Sequence, residues 1–208
     1  MLPKAELPII ILAAGQSRRM RGRDKLLERV DGVPLIRRQA ELASAAAEGP
    51  VLVALPVPPH PRYEALEGCT VQKVPIAKAQ DGISESLKGA LDALPPDAPA
   101  AMLLLADLPD LTVEDLLTVF EAVDLASDQA IWRGTTEDGK PGHPIVVRKE
   151  LFGGLKATTG DTGVGAVMQA NRNRSCFVPL PKNRALCDLD TPEDWAAWRA
   201  ARGAVSHD

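Results

Sequence analysis

The sequence predicts one α/β domain built on a mostly parallel central sheet. Three observations carry that expectation. Short apolar runs alternate along the chain with amphipathic segments, the pattern left by strands that cross over through helices. Two of the runs, Pro8–Ala13 and Ala101–Ala106, are nearly continuous in apolar residues, as strands covered on both faces are. The 208 residues, with 45% hydrophobic and 25% charged side chains, suffice for one sizeable core under a polar surface. Aromatics make up only 3% of the chain, so Leu, Val, Ile and Ala must fill that core.

Taken in order, the expected strands are Pro8–Ala13, Val51–Leu55, Val71–Val74, Ala101–Ala106, Gln129–Trp132, Pro144–Val147 and Cys176–Leu180. Leu87, Ala90, Leu91 and Leu94 recur at helical spacing, as do Val113, Leu116, Leu117 and Phe120. Thr112 stands before the second set as a cap, with Glu114 and Asp115 matching the helix dipole in its first turn. A last helix starts at Thr191-Pro192-Glu193-Asp194, with Pro in the first helical position, and is expected to bury Trp195 and Trp198. Pro56–Pro61 reads as a connection. The domain is expected over 1–204, with 205–208 as a frayed tail.

Composition narrows the function. A formal charge of −4 and a pI near 5.5 argue against a general nucleic-acid binder. Cys69, Cys176 and Cys187 form no CxxC or Cys/His cluster, which points to reduced structural thiols. No signal-peptide pattern opens the chain and its first apolar run is too short for a bilayer, so a cytoplasmic protein with no membrane partner is expected.

Against the acidic background, Leu12–Leu27 (LAAGQSRRMRGRDKLL) holds two glycines, four arginines and a lysine just after the first strand. Ligands of α/β sheets bind beyond strand carboxyl ends. Gly15 is able to take positive φ and to let a phosphate approach the backbone, where successive N–H groups form an anion-binding concavity. Arg19 and Lys25 would add a guanidinium fork and a point charge. An arginine cluster alone is more often a solvated loop. Neither the G-x-G-x-x-G fingerprint nor the G-x-x-x-x-G-K-[ST] loop is present, which removes the main support for a dehydrogenase.

The stretch resembles the signature L-A-[AG]-G-x-S-x-R-M-G-x-x-K of the molybdenum-cofactor nucleotidyltransferases, with Leu12, Ala13, Ala14, Gly15, Ser17, Arg19, Met20 and Lys25 in the matching places. Arg21 lengthens the Met-to-Lys spacing by one residue, which with Asp24-Lys25 looks more like the guanylyl-type enzymes, whereas Lys25-Leu26-Leu27 and the remaining motifs look more like the cytidylyl type. Further segments resemble the family in the same order. GISESLKGAL resembles its nucleotide-pocket segment, with Ser84 and Ser86 as hydroxyl donors. LLLADLPD resembles its aspartate loop, with Asp107 as a metal ligand. PGHPIV and TTGDTGVGA resemble segments near the acceptor, with His143 and Asp161 as its contacts, and Gly165 stands where the family usually has Arg. CDLDTPEDW resembles the closing segment, where Asp188 and Asp190 alternate as on one strand face and supply a second metal carboxylate, Asp188 preferred.

That resemblance implies a three-layer Rossmann-like (GT-A-like) nucleotidyltransferase fold with Mg²⁺ as cofactor. It implies Arg19, Lys25 and Asp107 as catalytic residues, and transfer of a nucleotidyl group from an NTP to the phosphate of a molybdopterin-type acceptor. CTP is the preferred donor over GTP, and a molybdoenzyme or its chaperone is a possible partner. Transfer to a sugar or polyol phosphate, and a non-catalytic cofactor carrier, are the alternatives.

Overall fold

The computed structural model describes residues 7–160 and 163–205. Strand β1 (Ile9–Leu12) is followed by the short hairpin of β2 (Arg29–Val30) and β3 (Val33–Pro34), helix α1 (Leu35–Ala46), β4 (Val51–Pro56), α2 (Pro61–Ala65) and β5 (Gln72–Ile76). Then come α3 (Ile83–Asp92), β6 (Ala100–Leu105), α4 (Val113–Glu121), β7 (Ile131–Thr135) and β8 (Pro141–Arg148). Helices α5 (Phe152–Lys156) and α6 (Gly163–Ala170), strand β9 (Ser175–Pro179) and helix α7 (Pro192–Val205) complete the chain. No described helix is long and apolar enough to cross a membrane.

All seven expected strands are present, in one sheet of order β5-β4-β1-β6-β8-β7-β9. β1 lies inside it, beside the central β6, parallel to β4 through Ile10↔Leu52 and to β6 through Ile10↔Leu103. β8 alone opposes its neighbours, running antiparallel to β6 and β7. The cause is local. β7 and β8 are joined by a tight turn closed by Thr136 N–H to the Lys140 carbonyl at 2.9 Å, with Gly139 at φ 82°, and such a turn reverses the chain.

Alternation along β1 sorts side chains into two cores. Ile9 and Ile11 face a cluster containing Leu35, Ile36, Ala40 and Ala43 of α1, Leu116 and Val119 of α4, and Trp195 of α7. Ile10 faces the other, with Leu87, Ala90 and Leu91 of α3, Phe152 and Leu155 of α5, and Met168 of α6. The result is three layers, helix–sheet–helix. The three Ile side chains are fully buried, and truncating any one to Ala would cost roughly 2–5 kcal/mol.

The expected caps form. Asp115 N–H donates to Thr112 Oγ1 at 3.3 Å while Thr112 N–H donates to the Asp115 carboxylate at 3.0 Å. Thr191 and Asp194 exchange the same pair of bonds at the start of α7. Trp195 is buried as expected, but Trp198 is only half-buried, its indole N–H donating to Asp110 at 3.0 Å. Helix α7 also runs through Val205, which the sequence reading places in the tail; 206–208 lie outside the described residues.

Candidate active site

Because β1, β4 and β6 run parallel, their carboxyl ends open at one edge of the sheet. The Ala106 N–H donates to the Leu12 carbonyl at 3.3 Å, which sets the turn holding Asp107 beside the β1 loop. The Leu189 N–H donates to the Asp107 carbonyl, also at 3.3 Å, bringing in the segment before α7. Between them lies a cleft of about 380 Å³. Leu12, Ala13, Ala14, Gly15, Ser17, Arg19, Lys25, Ser86, Asp107 and Asp190 all line it.

The loop after β1 is set by a single 3₁₀ turn, Arg18–Met20, anchored by the fully buried Met20 side chain. Its left-handed residues are Ser17, Arg21 and Gly22, at φ 51°, 52° and 87°. Gly15 is outside the left-handed region, contrary to the expectation, so its glycine is not required by φ. Nothing stands within 4 Å of where its Cβ would be, and the missing side chain leaves that stretch of backbone bare toward the cleft. Arg21, the extra residue, turns outward and pairs with Glu193 of α7 at 2.7 Å.

At the floor of the cleft Lys25 Nζ donates to Asp107 Oδ2 and, at 2.7 Å, to Asp190 Oδ1. Arg19 reaches the other oxygen of Asp190 at 2.6 Å from an exposed position. Burial alone would pull the Lys25 ammonium down, but the Asp107 and Asp190 carboxylates outweigh it and hold Lys25 above the usual lysine range. Asp107 Oδ1 is buried and has no hydrogen-bond partner. Among the described residues no three His, Cys, Asp or Glu side chains converge as an all-protein metal cage. Two carboxylates with one orphaned oxygen nevertheless fit a hard cation such as Mg²⁺, which takes one or two carboxylates together with substrate phosphates.

Asp188 and Asp190 do not share a strand face. Residues 187–190 are irregular, held by the Leu189–Asp107 bond in place of a ladder. Asp190 therefore lines the cleft while Asp188 is exposed. Partial burial, then the nearby Asp107 and Asp190 charges, push the Asp188 carboxyl above its ordinary value despite Lys25.

Of the two serines, Ser86 lines the cleft; Ser84 is buried behind it, its Oγ without a partner. His143 lies within β8, with Nδ1 3.3 Å from the Leu103 carbonyl, and is not in a turn. Burial pushes its pKa down to about 4 despite that bond, so the ring is neutral, with Nδ1 as donor and Nε2 left as acceptor. Asp161 lies outside the described residues. Sequence reasoning missed Gln80, which lines the cleft, and the buried Arg62, which braces the loop from behind. A proline-rich connection gave no sign that the Arg after it would turn inward.

A loop of bare backbone and cations facing carboxylates across a strand-end cleft is the arrangement of a nucleotidyltransferase on a Rossmann-like sheet. Residues 9–175 match the MobA-like NTP transferase domain, and the chain belongs to that family, the molybdenum cofactor nucleotidyltransferases. It is 31% identical over 201 residues to a Synechococcus elongatus protein named probable molybdenum cofactor guanylyltransferase, covering 90% of this chain and 95% of that one. A crystal structure of the Rv0371c homologue from Mycobacterium sp. strain JC1 superposes with TM-score 0.80 at 25% identity, covering 96% and 98% of the two chains. Rv0371c of Mycobacterium tuberculosis, in complex with manganese, shares the fold with TM-score 0.74 at 21% identity, over 92% and 97%.

Proposed function

We propose that the protein transfers a nucleotidyl group from an NTP to the terminal phosphate of a molybdopterin-type cofactor, releasing pyrophosphate. The observation that carries this reading is the Lys25–Asp107–Asp190 cluster on the floor of a cleft walled by the β1 loop. A phosphate monoester has its second pKa near about 6, so at neutral pH it is already largely the dianionic nucleophile. No general base is required, and among the described residues that line the cleft there is no His or Cys to act as one.

Binding and charge neutralisation then do most of the catalysis. The Ala13–Ser17 backbone cradles the phosphates. Lys25 and Arg19 neutralise the charge developing on the leaving pyrophosphate, and Ser86 with Ala14 walls the nucleoside. Asp107 and Asp190 would hold Mg²⁺, which supplies Lewis acidity at the phosphate oxygens. The manganese complex of the fold neighbour supports a divalent ion in this fold. His143 and Asp161 are assigned to the acceptor side.

CTP is the donor we favour, because Lys25-Leu26-Leu27 and the motifs that follow resemble the cytidylyl type more closely, and Gly82 and Ser86 of the nucleotide-pocket segment line the cleft. GTP is a second reading, supported by the name of the cyanobacterial relative and by the Met20–Lys25 spacing. Purified protein mixed with molybdopterin cofactor, Mg²⁺ and each of the four NTPs in parallel decides between them by pyrophosphate release. Release with CTP alone is the expected result. Release with GTP alone selects the second reading, and no release with any NTP overturns the proposal.

A further inference from the structure

We propose that Arg62 is a positioning residue for the phosphate loop: it holds Ala13–Lys25 in the shape that presents the loop backbone and Lys25 to the nucleotide. The proposal rests on the cleft being the nucleotide site.

Arg62 is only 1% exposed, yet its guanidinium is committed to one partner, the loop. One terminal nitrogen donates to the Ala13 carbonyl at 2.6 Å, where the loop leaves β1. Nε and the other terminal nitrogen donate to the two oxygens of Asp24 at 2.7 Å each, where the loop ends. The second of these nitrogens also reaches Ser17 Oγ, in the middle, at 3.3 Å. Asp24 in turn accepts from the Leu26 N–H at 3.0 Å and from the Ser17 hydroxyl at 3.1 Å, and Ser17 Oγ accepts from the Lys25 N–H at 3.2 Å. Start, middle and end of the loop are thus tied to a single planar group, and the residue next to the tie is Lys25.

A buried ion pair is a poor device for stability alone, since well-packed apolar residues of the same volume serve as well or better. What the pair does supply is geometry. Ser17 and Arg21 hold left-handed φ, a conformation that persists in non-glycine residues only where the surroundings over-determine it. Burial works against the Asp24 carboxylate, but Arg62 outweighs it and keeps Asp24 below its ordinary range, so the tie stays ionised. Arg62 is itself set by α2, where Pro61 begins the helix and His60 Nδ1 accepts from the Arg62 N–H at 3.3 Å. A lysine there would bring charge without the planar fork, so it could not reproduce the two-pronged bond to Asp24 together with the separate bond to Ala13.

The test compares wild type, Arg62→Lys and Asp24→Asn by amide hydrogen exchange of the free protein and by affinity for Mg²⁺·CTP and Mg²⁺·GTP. Arg62→Lys is expected to stay folded and to exchange at residues 14–26 at least 10-fold faster, with β4 and β6 unchanged. Its nucleotide affinity should fall at least 10-fold while acceptor affinity moves less than 2-fold, and adding Asp24→Glu should recover part of the loss. Should Arg62→Lys not fold, Asp24→Asn, which keeps the side-chain shape, gives the same readings. Loop exchange indistinguishable from wild type overturns the proposal. So does faster exchange spread evenly over the domain with unchanged nucleotide affinity, the mark of a merely structural residue. If the loop loosens but wild type binds no NTP, Arg62 still orders the loop and it is the nucleotide reading that fails.

Discussion

Lys25 Nζ donates to Asp190 at 2.7 Å while also donating to Asp107, so one ammonium joins carboxylates 165 and 82 residues further along the chain. Each partner is about five-sixths shielded, which makes the cluster the most enclosed group of charges on the cleft floor.

Lys25→Met should lower turnover by roughly 10²–10³-fold, the scale of losing one preorganised charge-stabilising donor, while the protein stays folded. The same variant should change the response to alkali. The Lys25 pKa is raised on folding, so its stabilisation is complete below the unfolded value near 10.5 and is lost as pH rises through the higher folded value. Melting curves between neutral pH and strong alkali should show wild type losing its advantage over Lys25→Met only above that range. A constant gap between the two proteins would remove the linkage.

Metal binding separates the three aspartates. With Mn²⁺ and a non-reacting CTP analogue, Asp107→Asn and Asp190→Asn should each weaken Mn²⁺ by more than the roughly 10–100-fold typical of outer-shell partners. Asp188→Asn should leave Mn²⁺ affinity nearly intact, because that carboxylate is exposed and does not line the cleft. Spin-resonance titration reads this without any turnover. A large loss in Asp188→Asn would move the metal away from Asp190.

His143 is expected to stay neutral through the working range, its pKa held to about 4. The folded value is below the unfolded one near 6.5, so the histidine's contribution to stability is full above pH 6.5 and is lost as pH falls towards 4. Replacing His143 with Gln should flatten the melting-temperature profile in that window, and rate profiles from pH 6 to 8 should show no ionisation that the variant removes. An unchanged acid limb in the Gln variant would show that the ring titrates normally.

Gly142→Ala tests the contact that seats β8 against the segment before α7. A Cβ at Gly142 would stand 2.1 Å from the Ala185 carbonyl oxygen, so backbone must move. The expected cost is about 1–3 kcal/mol or more, a fall in melting temperature of several degrees for a chain of this length. Calorimetry checks it, and an unchanged melting temperature would mean that the two segments part easily.

What was legible in the sequence was periodic. Strands such as β1 and β6 announce themselves because both faces are covered, and the caps at Thr112 and Thr191 because their chemistry is local. Helix α1 escaped notice although Leu35, Ile36, Ala40 and Ala43 are spaced for one face; Arg37 and Arg38 interrupt the run, and the intervening Gln39 is buried, donating to the Leu108 carbonyl at 2.9 Å. The Lys25–Asp107 side of the site could be expected from motif order. The preference of the cleft for Asp190 over Asp188 could not, because it depends on residues 187–190 being irregular where two alternating aspartates suggest a strand. Nor could Arg62 be found, since its partners are 38 to 49 residues away and only the fold brings them together.

The ties from the end of the chain to its beginning carry a consequence for synthesis. Asp190 reaches Lys25 and Arg19, Arg199 reaches Glu28 at 2.7 Å, and Arg202 reaches Asp31 at 2.9 Å. The ribosome delivers the β1 loop before these partners. A nascent chain that has already paired β1, β4 and β6 still carries Lys25 without its second counter-charge, so the charge cluster is complete only once Asp190 has emerged, and a product stopped short of Asp190 would retain most of its sheet yet hold a half-built cleft floor.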